Sequence, residues 1–375
     1  MNENVVVVFP SLYSLNKIDY LVSSISMILK TKKLGFNKIR KNGSIIIIEA
    51  NDPVFASSAI ATLFGIEKIA IAKEVKNSFN AIVTSIVTVG ATLLLRGERF
   101  YVKVDGMGTE FVPKDVELAA TSALIEKTVN FQTKPGTESS YDKIIYTHIT
   151  KSHAYVCIFI DKGGGGIPNK SQNQRVLCCI YDELSVIACL QTLKMGFDVK
   201  ILVCYGNESD LLTTVKMLNQ ILPRFLQTKI ELHFCKLDMK STAKSILLKT
   251  AIITAILTSL AKRIRIDRIS LAISPLIFPA WFLEYNAIRV FQKGIIPWFP
   301  LSGIDDSIFD TANEIGLGKY VSKIENLCKM KFKKDIPKDK IDKISQISLR
   351  DIKTITITLG SKNIHDIIDS LKSNH

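Results

Sequence analysis

Residues 162–196 read KGGGGIPNKSQNQRVLCCIYDELSVIACLQTLKMG, and no other stretch limits the fold of this chain as much. Four glycines and a proline predict a linker, residues 176–180 predict a buried strand, and residues 185–195 have the apolar spacing of a helix. A strand, a tight turn and a helix make a nucleotide-binding corner when the turn carries glycines. Only then can backbone N–H groups close around an anion at the helix N-terminus. Here the turn is Tyr181, Asp182, Glu183 and Leu184. Two carboxylates and a ring stand where phosphates would lie, so the frame of a nucleotide site is predicted without its chemistry.

Beyond this corner the alternation continues. Residues 198–205, 230–235 and 268–273 read as buried strands, and residues 211–221, 241–263, 279–291 and 306–315 as helices. Such alternation predicts a parallel sheet with helices on both faces and ligands at the carboxyl ends of the strands, which leads back to the Tyr181 turn. Ahead of the glycines, strands at 5–9, 45–49 and 66–72 with helices at 16–33 and 54–64 predict a small α+β unit of the ferredoxin-like kind. Helices at 77–96 and 114–126 with strands at 99–104 and 155–161 predict a second α+β block. The expected division is 1–75, 76–165, a linker at 166–172, an α/β domain at 173–330 and a lysine-rich extension at 331–375 that turns β-branched at 355–359.

Composition narrows the partner. A net charge of +14 favours an anionic surface such as RNA, DNA or a membrane, while a lysine-rich solubilising surface explains the same number without a partner. The apolar run at 251–261 is shorter than the roughly 20 residues a membrane span needs, and the start of the chain has no leader-like pattern, so a cytoplasmic protein is expected. Seven cysteines without a Cys-x-x-Cys pair and five scattered histidines predict neither a disulfide framework nor a metal site.

The order Gly165-Gly166-Ile167-Pro168, the Val176-Leu177 strand, the short turn, the helix opened by Ser185 and then Lys194-Met195-Gly196 resembles the tRNA 4-thiouridine synthase (tRNA sulfurtransferase) family. Phe64-Gly65-Ile66, Phe111 to Glu117, Phe299-Pro300-Leu301 and Ile315-Gly316 are similar to further landmarks of it, so the resemblance runs nearly to Cys328. It implies α+β ferredoxin-like and THUMP domains followed by an α/β, Rossmann-like domain of the PP-loop ATPase type. The family's loop is Ser-Gly-Gly-x-Asp-Ser. Ser185 falls on its last serine, but the turn is one residue short and both glycines and the aspartate are missing. Tyr181, Asp182, Glu183 and Ser185 thus mark a degenerate nucleotide-binding position. Lys249-Thr250 and Ile273-Ser274-Pro275 also depart from ATP-contacting features of the family.

The same resemblance places Cys328 where the family carries its sulfur-exchanging cysteine, and Lys323, Lys329 and Lys331 nearby would favour a thiolate. A THUMP domain implies tRNA as the partner, with Arg96, Arg99, Lys103, Lys114 and Lys134 as phosphate contacts. Family members carry Arg and Lys after the first strand of that domain, where this chain has Asp105-Gly106-Met107-Gly108. Two readings stay open. One is a tRNA-binding protein without a cofactor that no longer adenylates its RNA and works beside a separate PP-loop enzyme or sulfur donor. The other is an active sulfurtransferase that takes ATP and magnesium through an atypical loop and carries sulfur on Cys328.

Overall fold

The structure is a computed structural model that describes residues 4–107, 110–237, 246–303, 307–330, 332 and 337–373. The chain divides into two compact units, Met1–Pro168 and Asn169–His375.

The first unit runs β1 (Asn4–Pro10), α1 (Ile18–Thr31), β2 (Phe36–Asn42), β3 (Ile45–Ala50), α2 (Pro53–Ile60), β4 (Ile66–Lys76), α3 (Phe79–Leu93), β5 (Arg99–Gly106), α4 (Pro113–Lys127), β6 (Lys134–Pro135), β7 (Lys143–Ile149) and β8 (His153–Gly165). All eight strands join one sheet in the order β2-β3-β1-β4-β8-β7-β5-β6. Period-two alternation in β5 turns Phe100, Val102 and Val104 inward, where α3 and α4 cover them with Ile82, Ile86, Val116 and Leu124. The opposite face buries Val7, Ile47, Ala70, Ala72, Tyr155 and Cys157.

That second face is closed by coiling of the sheet. Arg40 of β2 holds both carboxylate oxygens of Glu74 in β4, at 2.5 and 2.6 Å, and Asn42 Nδ2 donates to the Tyr155 hydroxyl of β8 at 2.7 Å. β2 and β8 stand four places apart in the sheet, which would be about 19 Å on a flat one. Side-chain contact between them therefore requires strong twist and roll, and it brings a polar clasp over an apolar interior.

Two expectations for this region meet a different arrangement. β4 crosses the expected boundary at residue 75, and one sheet holds strands from both expected blocks. The glycines expected in a flexible stretch continue β8 as far as Gly165, which pairs with Ile66. A Cβ on Gly163 would collide with the Ile66 carbonyl oxygen, and one on Gly164 would lie 2.6 Å from the Leu63 oxygen. These glycines permit close strand approach, a role that composition does not separate from flexibility.

The second unit runs β9 (Arg175–Ile180), α5 (Glu183–Lys194), β10 (Asp198–Tyr205), α6 (Glu208–Ile221), β11 (Lys229–Lys236), α7 (Ile246–Arg263), β12 (Arg268–Ser270), α8 (Ala280–Phe291), β13 (Ile296–Trp298), α9 (Ser307–Glu314), α10 (Val321–Cys328), α11 (Lys338–Arg350), β14 (Lys353–Thr358) and α12 (Asn363–Ser373). Its sheet has the order β13-β12-β9-β10-β11-β14, with the first five strands parallel and β14 antiparallel to β11. The predicted α/β sheet is present, and the lysine-rich tail supplies its last strand, with Ile355 and Ile357 buried. Ser241 and Asp306, the expected first residues of α7 and α9, lie outside the described residues, as do Asp305, Lys331, Lys333 and Lys334. Among the described residues no helix is long and apolar enough to cross a membrane.

Candidate functional site

The head of α5 stands at the carboxyl end of β9, where a parallel sheet presents a ligand. Ser185 Oγ accepts from the backbone N–H of Tyr181 at 2.9 Å and of Asp182 at 3.0 Å, and donates to the Asp182 carbonyl at 2.6 Å. Asp182 Oδ1 accepts from the Ser185 N–H at 2.8 Å, which completes a capping box. In a glycine-rich loop these N–H groups would face a phosphate. Here three of them are satisfied by the chain's own oxygens, and a negative carboxylate holds the positive end of the helix. Three of the donors an anion would use at this turn are therefore taken by the chain itself.

The rest of the turn is filled as well. Tyr181 is buried, and the Lys249 ammonium lies over its ring at 5.6 Å from the centroid. Burial pushes the Tyr181 hydroxyl well above its ordinary pKa, with the Asp182 charge adding to it. Burial also raises the Asp182 carboxyl, against the pull of Lys249. Glu183 is only 4% exposed, and its Oε1 accepts from Lys323 Nζ at 2.6 Å. A buried carboxylate needs such a partner, and the pair fastens α10 to the head of α5.

Cys328 ends that same α10 and is exposed. Partial burial, followed by the Glu325 carboxylate, pushes its thiol above the ordinary value. Lys323, one of the lysines expected to favour a thiolate, is engaged by Glu183 instead. Beneath the turn, Cys179, Cys204 and Cys235 occupy β9, β10 and β11 and are buried. Burial raises the first two, and a hydrogen bond with Cys204 followed by burial raises Cys235, so these thiols stay protonated. Among the described residues no group of three or more His, Cys, Asp or Glu side chains could hold a metal ion.

The five candidate phosphate contacts fall in the first unit. Arg99 lies on β5 and pairs with Lys134 of the edge strand β6, and Lys103 lies four residues further along the same face. Arg99 also forms an ion pair with Asp142 at 3.2 Å and donates to Ser140 Oγ at 2.8 Å. Lys103 stands 3.8 Å from Asp105. Lys114 is held at 2.7 Å by Glu117, whose other oxygen accepts from the Val104 N–H at 2.9 Å. Arg96 follows α3 on the exposed surface and does not share the β5 face.

Sequence reasoning missed a pair of rings among these cations. Tyr101, between Arg99 and Lys103 on the outward face of β5, stacks on Tyr141 with centroids 5.9 Å apart and planes at 27°. The alternation Arg-x-Tyr-x-Lys on a strand with a buried opposite face was the available signal. Tyr141 is exposed and Tyr101 half-buried, and accessible rings flanked by cations are what an unpaired base stacks upon.

No family model matches the chain. It is 26% identical over 191 residues to a probable tRNA sulfurtransferase of Methanosarcina mazei, and equally to that of Methanosarcina acetivorans, a stretch covering 50% of this chain and 46% of each relative. The aligned stretch thus spans about half the length of the curated relatives it matches. In fold it is similar to PH1313 of Pyrococcus horikoshii, with a TM-score of 0.63 and 19% identity over 84% of this chain and 100% of that one. It is also similar to a 4-thiouridine synthetase solved in complex with RNA and bound ATP, with a TM-score of 0.68 and 14% identity over 94% of this chain and 99% of that one.

Proposed function

We propose that this chain is a tRNA-binding relative of the tRNA sulfurtransferases that recognises its RNA through a THUMP-type first unit and has given up adenylation. The observation that carries the second half is the capping box. Asp182 and Ser185 occupy the N–H groups on which a PP-loop would seat the pyrophosphate of ATP. Support for the first half comes from the similarity to probable tRNA sulfurtransferases, from the likeness in fold to a synthetase solved with RNA, and from the net charge of +14. In this reading residues 76–165 supply the RNA grip through Arg99, Lys103, Lys134 and the Tyr101–Tyr141 stack. The α/β unit is a scaffold, and a separate PP-loop enzyme or sulfur donor provides the chemistry.

One observation favours a second reading. The Glu183–Lys323 pair brings the helix of Cys328 to the degenerate turn, the arrangement a sulfur-carrying cysteine would need. Calorimetry with magnesium and ATP, beside a tRNA gel-shift on the same preparation, separates the two. The proposal expects a tRNA shift that weakens with salt, as counterion release requires, and no ATP heat. ATP binding, together with thiolation lost in Cys328→Ser, overturns it in favour of the second reading.

A further inference from the structure

Helices α7, α8 and α11 of the second unit leave a cleft of about 280 Å³ between them. Ser259 in its wall and Lys249 at the degenerate turn are about 15 Å apart along α7, so the two places are distinct. Small polar side chains stand where packed helices usually carry apolar ones, and Thr254, Thr258 and Ser345 are buried there. Thr254 Oγ1 donates to the Thr250 carbonyl at 2.9 Å, Thr258 Oγ1 to the Thr254 carbonyl at 2.7 Å, and Ser345 Oγ to the Asp342 carbonyl at 3.1 Å. With their protons committed, these hydroxyls have only lone pairs left for a ligand. The end of α8 adds cations. Arg289 donates to the Tyr285 hydroxyl at 2.6 Å and to the Asp342 carboxylate at 2.9 Å, which fixes its guanidinium. Lys293 follows it into the lining, and its ammonium, the Gln346 amide and the Ser259 hydroxyl have no partner among the described residues.

We propose that this cleft binds a small phosphate monoester that carries hydroxyl groups, a phosphorylated polyol. Arg289 and Lys293 outweigh the single carboxylate of Asp342 and favour an anion, and Lys293, Gln346 and Ser259 offer it unspent donors. Inorganic phosphate would use that half of the lining alone. The lone pairs of Thr254, Thr258 and Ser345 call for neutral donors beside the anion, and the hydroxyls of a polyol supply them. The volume falls just below the roughly 300–1,000 Å³ of pockets that take drug-sized ligands, which suits a molecule of a few carbons and not a nucleotide.

Calorimetry on the full chain with glycerol 3-phosphate, inorganic phosphate and glycerol tests this. Glycerol 3-phosphate should bind about tenfold tighter than inorganic phosphate, and glycerol alone should give no heat. Lys293→Ala, at an exposed position, should weaken both phosphate-bearing probes about tenfold. Thr258→Val keeps the shape of the side chain without its lone pairs, and should weaken glycerol 3-phosphate about threefold while leaving inorganic phosphate unchanged. Unchanged unfolding curves would show both variants folded. No heat from glycerol 3-phosphate, or equal affinity for it and for inorganic phosphate, overturns the proposal. So does binding indifferent to Lys293→Ala, or displacement of the probe by tRNA, which would assign the cleft to RNA.

Discussion

Ser185→Ala removes one oxygen that accepts two backbone N–H groups and donates to a carbonyl. The Tyr181 N–H is buried, and leaving such a donor without a partner costs about 1–3 kcal/mol. The Asp182 N–H is partly accessible and can recover water, so its loss resembles that of an ordinary helix cap, about 1 kcal/mol. The sum is a destabilisation of about 2–4 kcal/mol in the second unit. Both tryptophans of the chain, Trp281 and Trp298, lie in that unit, so urea unfolding followed by tryptophan fluorescence reports it selectively. The same variant frees two N–H groups at a helix head, so pyrophosphate should recover part of the lost stability in Ser185→Ala and none in the wild type. A loss below about 0.5 kcal/mol, or equal pyrophosphate effects on both proteins, would refute the claim that the chain occupies its own anion site.

Acidification should weaken the second unit through His233. Burial lowers its pKa below the ordinary 6.5, so its stabilising contribution is complete above 6.5 and declines as the pH falls towards the folded value. A flatter acid limb in His233→Gln, read by the same fluorescence, checks this. Gly163→Ala should destabilise the first unit by about 1–3 kcal/mol, because the new methyl meets the Ile66 carbonyl, and limited proteolysis between β4 and β8 should accelerate. Tyr101→Ala should lower tRNA affinity about tenfold if a base stacks on the Tyr101–Tyr141 pair, whereas Lys30→Ala on α1 should leave it unchanged.

Long apolar runs made much of the parallel sheet readable in advance, since β9 and β10 are mostly apolar, while β11 alternates Ile230, Leu232 and Phe234 with polar residues. β2 was not readable, because Lys38, Arg40 and Lys41 give it the look of a loop while its pairing to β3 is made by the backbone. The charge of α11 hid its inward residues Ile341, Ser345 and Ser348, and with them the membership of the tail in the second unit. At the site, the missing glycines were plain from residue types, and Asp182-x-x-Ser185 carries the spacing of a capping box. The Glu183–Lys323 pair joins positions 140 residues apart, and no local pattern foretells it.

The last strand of the first unit to be synthesised is the one that joins its two halves. β8 lies between β4 and β7, so until residue 165 has emerged the nascent chain holds a β2-β3-β1-β4 half and a β7-β5-β6 half, each with a raw edge. The β4 edge offers Ile66 to Lys76 for pairing, eleven residues waiting for a partner about ninety positions downstream. Long-range closure of this kind is slow, and its intermediates are the ones most open to wrong partners. The glycines at the end of β8 thus act late in the birth of the protein, letting the closing strand seat against β4 at the moment the sheet becomes whole.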